Sequence, residues 1–407
     1  MLIQNHAEAE LFSRNKILHL RGFLLICSIN LFIYLSFHML TPTFPFFIKW
    51  LGGTEKTVGL ITGAFSLAAL LVRPVIGWLL DHVSRRIFML VGISVMTVIC
   101  FLYPWITFIP LLFILRVLHG INWANSGTSI ATNAYDIIPS DRFTEGVSYF
   151  GIVCTLAMAI APAVGMSLMN QYGFFCLFIG AALLNLSALV LAWAFHCKNS
   201  SPKLASGEKE SLRYAFCHMF NRKALPAASL LLLQMIPYGA VNTFIALYAV
   251  EMKIAGSSMY FSFFAGAAML SRLFCSRLAD QKGDSFVVYC GLVCYTVAVL
   301  LIVFSSGAAL LLLAGIFSGI AIGIVVPVMQ SLALHRVPAE RRGSASSTYL
   351  CFSDMGIGIG GIAGGYLAMY LGYRMMFACM LLPLAAAAWF YWGMIVGKKK
   401  QGDGSTA

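Results

Sequence analysis

The sequence predicts an all-α membrane protein with twelve transmembrane helices, arranged as two pseudo-symmetric bundles of six. Of its 407 residues, 60% are hydrophobic and only 10% are charged, whereas about a quarter of the residues in a soluble domain are charged. The apolar residues form runs long enough to cross a bilayer as helices. In addition, several residues of the first half recur 199 positions later in the second half.

The apolar runs are too long and too continuous for the alternating strands of a membrane barrel, so each is predicted to be a helix. In the first half we predict spans at residues 22–45, 57–80, 87–106, 108–133, 145–169 and 174–196. In the second half we predict spans at residues 225–250, 257–279, 286–305, 308–334, 344–370 and 375–396.

A polar segment separates the two sets of spans. Residues 197–224 carry six Lys and Arg side chains, which makes them too polar to insert and too long for a tight turn. We therefore predict an N-terminal bundle at residues 1–196, a cytoplasmic linker at residues 197–224, and a C-terminal bundle with a basic tail at residues 225–407.

The Lys and Arg residues predict the orientation. With both termini in the cytoplasm, twenty of them fall on the cytoplasmic side and four on the other, and Arg73, Arg116 and Arg272 lie within spans. Positive residues favour the cytoplasmic side of a membrane protein. The excess of basic residues in the cytoplasmic loops therefore explains the formal net charge of +12. No nucleic-acid partner is expected.

The repeat is clearest around a short charged loop. Arg73 and Asp81 recur as Arg272 and Asp280, and the same offset relates the following pairs: Gly120 and Gly319, Pro139 and Pro338, Arg142 and Arg341, Gly165 and Gly364, Gly173 and Gly372. Six spans per half restore the same direction in the membrane, so the halves are predicted to be parallel repeats.

The charged loop reads Gly77-Trp-Leu-Leu-Asp81-His82-Val-Ser84-Arg85-Arg86. It resembles the signature loop between the second and third helices of the major facilitator superfamily, with His82 where a second basic residue is usual and Ser84 where a glycine is usual. The resemblance extends over nearly the whole chain. It implies a gating role for Gly77, Asp81, Arg85 and Arg86 and, through the repeat, for Asp280.

Two further segments resemble motifs of the proton-coupled exporters of that family. Arg116-Val-Leu-His-Gly120 is similar to the motif with a buried arginine implicated in proton coupling. Residues 161–165, Ala-Pro-Ala-Val-Gly, loosely resemble the antiport motif, but lack its glycine before the proline and its doubled glycine after it. The resemblance implies proton coupling by Arg116; the alternative is an arginine that only anchors packing.

Asp354 is the single acidic residue, out of fifteen, that lies deep in an apolar span. Ionisable residues inside membranes are expensive to bury and commonly mark proton or substrate sites. We therefore predict that Asp354 takes up a proton or binds a cationic group. The alternative is a buried pair with an arginine or a hydroxyl that only fixes helix packing.

Polar and aromatic residues share one face of the first and the seventh span, where helical spacing brings i, i+4 and i+8 together, and similar residues enrich the fourth span near Arg116. In the family resembled, these spans line the substrate cavity. The predicted cavity residues are Asn30, Tyr34 and His38 on the first span, His119, Asn122 and Trp123 on the fourth, and Gln234, Tyr238 and Asn242 on the seventh. Ordinary packing is the alternative for each of them.

No enzyme chemistry is predicted. Gly356-Ile-Gly358-Ile-Gly360-Gly361 matches a dinucleotide-binding pattern but lies inside an apolar span without a preceding strand, so we expect no nucleotide cofactor there. Glycines four residues apart instead favour close contact between membrane helices. Neither a metal site nor any other cofactor is expected, and the eleven cysteines show no paired spacing.

These features together predict a monomeric exporter in the inner membrane, driven by protons, that transports small amphipathic organic compounds by alternating access. Its partners would be the small-molecule substrate, protons and the lipid bilayer. Uptake or facilitated exchange of a metabolite by the same fold is an alternative. A membrane sensor or scaffold that no longer transports is a third, although loop motifs in both halves argue against it.

Overall fold

The computed structural model describes residues 2–82, 84–138, 143–195, 221–254, 257–335 and 342–403. Helices dominate this part of the chain, and it contains no β-strand. Most of the predicted linker, residues 197–224, lies outside the described residues, so the domain boundaries stay a prediction.

In the described part of the first half there are five long helices and two short ones. In chain order they are α1 (Leu2–Leu40), α2 (Phe44–Trp50), α3 (Glu55–His82), α4 (Arg85–Leu102), a 3₁₀ turn (Tyr103–Trp105), α5 (Ile109–Ile137) and α6 (Phe143–Ala194).

Within the described residues the second half contains six helices, and the first four follow the predicted spans closely. They are α7 (Leu225–Glu251), α8 (Ser257–Lys282), α9 (Asp284–Val303), α10 (Ala308–His335), α11 (Arg342–Cys379) and α12 (Leu381–Asp403).

Two of these helices are interrupted by a glycine, and the 52 residues of α6 are enough for two spans. Gly173 in α6 and Gly372 in α11 have φ values of 78° and 77°, which interrupt the helix, and glycine adopts this left-handed region without a steric penalty. Within the described residues, eight helices are long and apolar enough to cross a membrane, among them these two. The count of twelve spans stays a prediction.

The end of the first predicted span was wrong. The sequence analysis continued it to residue 45, but α1 ends at Leu40 and the short helix α2 follows after a turn. Pro42 cannot donate a backbone hydrogen bond and restricts the residue before it, which explains the end of α1. Pro45 lies in the first turn of α2, where the missing N–H is not needed.

The sequence repeat is reproduced in the packing of the helices. A Cβ atom on Gly120 in α5 would collide with the backbone carbonyl of Phe65 in α3. A Cβ atom on Gly319 in α10 would collide in the same way with the carbonyl of Phe264 in α8. Gly319 and Phe264 each lie 199 residues after Gly120 and Phe65. Each half therefore brings an equivalent pair of helices together through an equivalent glycine.

Large apolar side chains cover the outside of the bundle. Leu71, Leu273 and Trp389 are 69%, 60% and 74% exposed. Such a surface would promote aggregation of a soluble protein, but it suits helices whose outer face contacts lipid.

We predict that Gly120→Val destabilises the protein by about 1–3 kcal/mol, because the added side chain overpacks the contact with Phe65. Gly127→Val on the same helix is the matched control, since a Cβ at Gly127 meets no atom within 4 Å. Thermal unfolding of the purified variants in detergent measures the difference. Equal unfolding temperatures for the two variants would show that α3 and α5 do not depend on this contact.

Candidate functional site

An ion pair joins the two halves of the protein in the middle of their apolar helices. The Nε atom of Arg73 in α3 donates to Oδ2 of Asp354 in α11 at 2.5 Å. The two side chains are only 15% and 16% exposed. The aspartate that the sequence analysis selected thus lies at the contact between the halves, and its partner is an arginine.

Small residues allow α3 and α11 to approach closely. A Cβ on Gly59 of α3 would touch the carbonyl oxygen of Gly361 and lie 2.9 Å from Cα of Gly365. A Cβ on Gly63 would likewise collide with Ile362. Glycine-lined contacts of this kind bring the backbones of membrane helices together, and here they place the Arg73 and Asp354 side chains within reach of each other.

The glycines of α11 are divided between two neighbouring helices. Gly361 and Gly365 face α3, whereas a Cβ on Gly356 or Gly360 would meet the backbone of α7. The sequence analysis predicted close helix contacts at these steps. The structure shows that α11 contacts a helix of its own half on one face and a helix of the other half on the opposite face.

At one end of the bundle the halves are held together by polar contacts. We call this the Glu55 end, after the first residue of α3. Oε1 of Glu55 accepts from Nζ of Lys49 at 2.5 Å and from the hydroxyl of Tyr373, in the second half, at 3.4 Å. The ammonium group of Lys56 lies 4.9 Å from the ring centre of Tyr366, which is a cation–π distance.

A second contact between the halves lies between α6 and α8. The hydroxyl of Ser262, five residues from the start of α8, donates to the carbonyl of Ala159 at 3.1 Å. The α3–α11 and α6–α8 contacts together hold the two halves against each other toward the Glu55 end.

The predicted polar face of α1 lies beside the ion pair. Arg73 is within electrostatic range of Tyr34, and Nδ2 of Asn30 lies 3.0 Å from the sulfur of Cys154 in α6. Tyr34 also contacts the rings of His38 and Trp123, with centroids 5.9 and 5.1 Å away. These predicted cavity residues of the first and fourth spans therefore form one cluster.

Arg116 occupies an aromatic environment. It is 4% exposed, and its guanidinium lies 4.2 and 4.5 Å from the ring centres of Phe44 and Phe65. One of its nitrogens is 3.3 Å from Nδ1 of His119, which also contacts the hydroxyl of Tyr103 at 2.9 Å. No carboxylate in the described part of the chain pairs with Arg116, so the rings stabilise its charge.

The remaining cavity candidates have different environments. Tyr238 and Asn242 line a pocket between α7, α8 and α9 together with Tyr260, Phe264 and Tyr295. Gln234 is fully buried, and Asn122 donates back to the carbonyl of Leu118 in its own helix. In this conformation the two α7 residues of the pocket are therefore better placed for a ligand than Gln234 is.

The predicted gating loop is described only in part. Gly77, Asp81 and Asp280 lie outside the part of the structure whose side-chain environments are described. Arg85 forms two hydrogen bonds with the carboxylate of Asp136 in α5, at 2.7 and 2.6 Å. Arg86 donates to the carbonyl of Trp193 at 2.8 Å.

Sequence reasoning missed three residues that the structure brings into these sites. Arg73 was treated only as a span residue of the repeat, although its charge inside an apolar run was a signal for function. Asp136 and Phe44 carried no such signal, because an aspartate near a helix end and a phenylalanine in an apolar run are both common.

Comparison with known proteins identifies the fold and its relatives. The family model for the Major Facilitator Superfamily matches residues 26–308 and 256–406. The chain is 24% identical over 336 residues to the staphylopine export protein of Staphylococcus aureus, covering 80% of this chain and 84% of that protein. It is 28% identical over 362 residues to a Lactococcus lactis homolog of the multi-drug resistance efflux pump PmrA, covering 84% and 87%.

Solved structures resemble the chain in fold. The nucleoside transporter NupG superposes with a TM-score of 0.74 at 15% identity, covering 91% of this chain and 99% of that one. A POT family transporter in complex with a thioalcohol conjugated peptide gives a TM-score of 0.77 at 14% identity, covering 93% and 96%.

We predict that Gly59→Val opens the Glu55 end, because the added methyl groups cannot fit against the backbone of α11. Nitroxides attached through p-acetylphenylalanine at positions 50 and 370 report the separation, since the native residues Trp50 and Tyr370 are 66% and 71% exposed. Electron–electron double resonance should show a longer distance in the variant than in the parent.

Gly266→Val provides the matched control for this experiment, because a Cβ on Gly266 meets no atom within 4 Å. An unchanged distance distribution in Gly59→Val would mean that the glycine contact does not close the Glu55 end.

Proposed function

Since the chain belongs to the major facilitator superfamily, we propose that it is a proton-coupled exporter of small amphipathic organic compounds. The observation that carries this proposal is the Arg73–Asp354 ion pair between the two halves. The direction of transport is supported by the two relatives whose names state export or efflux.

A proton on Asp354 would remove the negative charge that holds Arg73. Two opposite charges attract strongly where the surroundings are apolar, and removing one of them leaves the other buried without compensation. Protonation therefore weakens the contact between α3 and α11 at the level of the pair. This makes the pair a suitable link between proton binding and the relative movement of the halves.

The predicted orientation gives this link a direction. With both termini in the cytoplasm of a cell with an inner membrane, the Glu55 end faces outward and the structure is closed on that side. When this end opens, α3 separates from α11, and Asp354 loses Arg73 and takes up a proton from outside. Closing it again re-forms the ion pair, and the proton leaves toward the cytoplasm.

We propose that Arg116 responds to movements of α3. Its guanidinium packs on Phe65, which lies eight residues before Arg73 in the same helix. A change in the position of α3 therefore changes the packing around Arg116. This is a structural role in coupling, and it needs no direct contact between Arg116 and Asp354.

The aromatic side chains near the centre favour an amphipathic organic substrate. In the first half, the rings of Phe37 and Trp123 stack with their centroids 3.9 Å apart, and Tyr34 lies beside them. In the second half, Tyr238 and Phe264 lie 6.0 Å apart. Aromatic rings bind flat apolar groups, and tyrosine hydroxyls add hydrogen bonds. We propose that one protein molecule is sufficient for transport.

We predict that Asp354→Asn abolishes substrate accumulation driven by a pH gradient in proteoliposomes but preserves exchange of substrate for substrate. The asparagine keeps the shape of the side chain but cannot carry a proton in this cycle. A panel of fluorescent aromatic cations, neutral compounds and carboxylates supplies the transported molecule. Asp354→Glu should restore at least part of the driven transport.

Asp284→Asn is the control, because Asp284 is exposed at the start of α9. Gradient-driven transport that survives in Asp354→Asn would overturn the proposed proton site. Transport by the parent protein without any proton movement would instead identify a facilitator, in which the ion pair serves only for packing.

A further inference from the structure

Arg272, like Arg73 and Arg116, lies within an apolar helix, and it is exposed within the described structure. It lies fifteen residues after the first residue of α8 and ten before the last. In the sequence repeat it corresponds to Arg73, which lies in the equivalent helix of the first half. The two arginines therefore occupy equivalent places in the two bundles.

Their partners are not equivalent. Arg73 pairs with Asp354 of α11. The residue 199 positions before Asp354 is Thr155 in α6, whose hydroxyl donates to the carbonyl of Gly151 at 3.2 Å. The arginine is therefore present in both halves, but the aspartate that pairs with it is present only in the second half. Among the side chains that the structure describes, no carboxylate forms an ion pair with Arg272.

The surroundings of Arg272 come from both halves of the protein. The guanidinium is within electrostatic range of Cys154 in α6, Tyr238 in α7 and Tyr349 in α11. Cys154 in turn contacts Asn30, on the polar face of α1 that lies beside Arg73. Arg272 therefore faces the same central region as the Arg73–Asp354 pair.

This central region holds one positive charge in excess. Arg73 and Asp354 neutralise each other, and Arg272 adds a charge for which the described side chains supply no carboxylate. An arginine inside a membrane protein is stabilised by a partner of opposite charge. Its planar guanidinium matches a carboxylate, which it can bind through two parallel hydrogen bonds.

We infer that the transported compound carries a carboxylate, which binds Arg272 in the place where the repeat lacks an aspartate. Tyr238, which is within electrostatic range of Arg272, also lines a small pocket with Phe264 and Tyr295, so aromatic side chains lie beside the proposed carboxylate site. This assignment names the substrate class and rests on the proposed transport function.

The carboxylate and the proton act at different places in the cycle. A proton on Asp354 adds positive charge to the region and so does not displace an anion from Arg272. Its effect is on the contact between α3 and α11, where it releases Arg73. Substrate binding and proton coupling can therefore be tested separately.

The first test needs no ligand. Thr155→Asp supplies the carboxylate that the repeat lacks, so it should raise the unfolding temperature of the purified full-length protein in detergent. Thr155→Asn, which has the same size without the charge, should not. The rise should disappear when Arg272→Gln is combined with Thr155→Asp. A lower unfolding temperature for Thr155→Asp than for Thr155→Asn would overturn the assignment of an unpaired cation.

The second test compares dansylglycine with dansylglycinamide, and 1-naphthoate with 1-naphthamide, in binding and in exchange without a pH gradient. The parent protein should bind the carboxylate of each pair about tenfold more tightly than the amide, because a hydrogen bond between charged groups contributes about this much affinity. Thr155→Asp and Arg272→Gln should each remove this preference, whereas Thr155→Asn should retain it.

Two outcomes of the second test would contradict the assignment. One is a parent protein that binds both members of each pair equally or binds neither. The other is a carboxylate preference that persists in Arg272→Gln, which would mean that the carboxylate binds a group other than Arg272. Asp354→Asn should keep the carboxylate preference, so a failure of proton coupling is distinguishable from a failure of this assignment.

Discussion

The contact between α3 and α11 depends on two conditions that support each other. Glycines bring the backbones of the helices together, and the short distance allows Arg73 to reach Asp354. Without the close approach, each charge would remain in an apolar helix without its partner, at a cost of several kcal/mol. Without the ion pair, the glycine contact alone would give the two halves no response to protons. The combination turns a packing contact into one that protonation can weaken.

The position of α11 explains how such a weakening affects the whole molecule. One glycine face of this helix lies against α7 in its own half, and the other lies against α3 in the opposite half. A displacement from α3 can therefore move α11 together with α7 as a unit. The pocket that contains Tyr238 and Asn242 borders α7, so the same displacement changes the surroundings of a ligand. The ion pair and the pocket are connected through one closely packed helix pair.

Much of this arrangement could be predicted from periodicity and charge. The apolar runs predicted the bounds of α7 to α10 closely but misplaced the boundary between α11 and α12. The isolated charge of Asp354 drew attention to the residue that joins the halves. Its partner could not be predicted in the same way, because 281 residues separate Arg73 from Asp354 and no local pattern links them. The short helix α2 was missed since its seven residues continue an apolar run. The ring of Phe44 on this helix stabilises Arg116, and only the folded chain brings them together.

The unequal repeat also determines how the membrane potential would act on transport. With the ion pair formed, the central region carries the charge of Arg272, and a bound monocarboxylate neutralises it. A cycle that moves one proton inward and one such anion outward transfers two positive charges toward the cytoplasm. Each charge contributes roughly 2.3 kcal/mol per 100 mV, so an inside-negative potential would drive both movements. A repeat with Thr155 in place of an aspartate would thus suit the proposed export of anions.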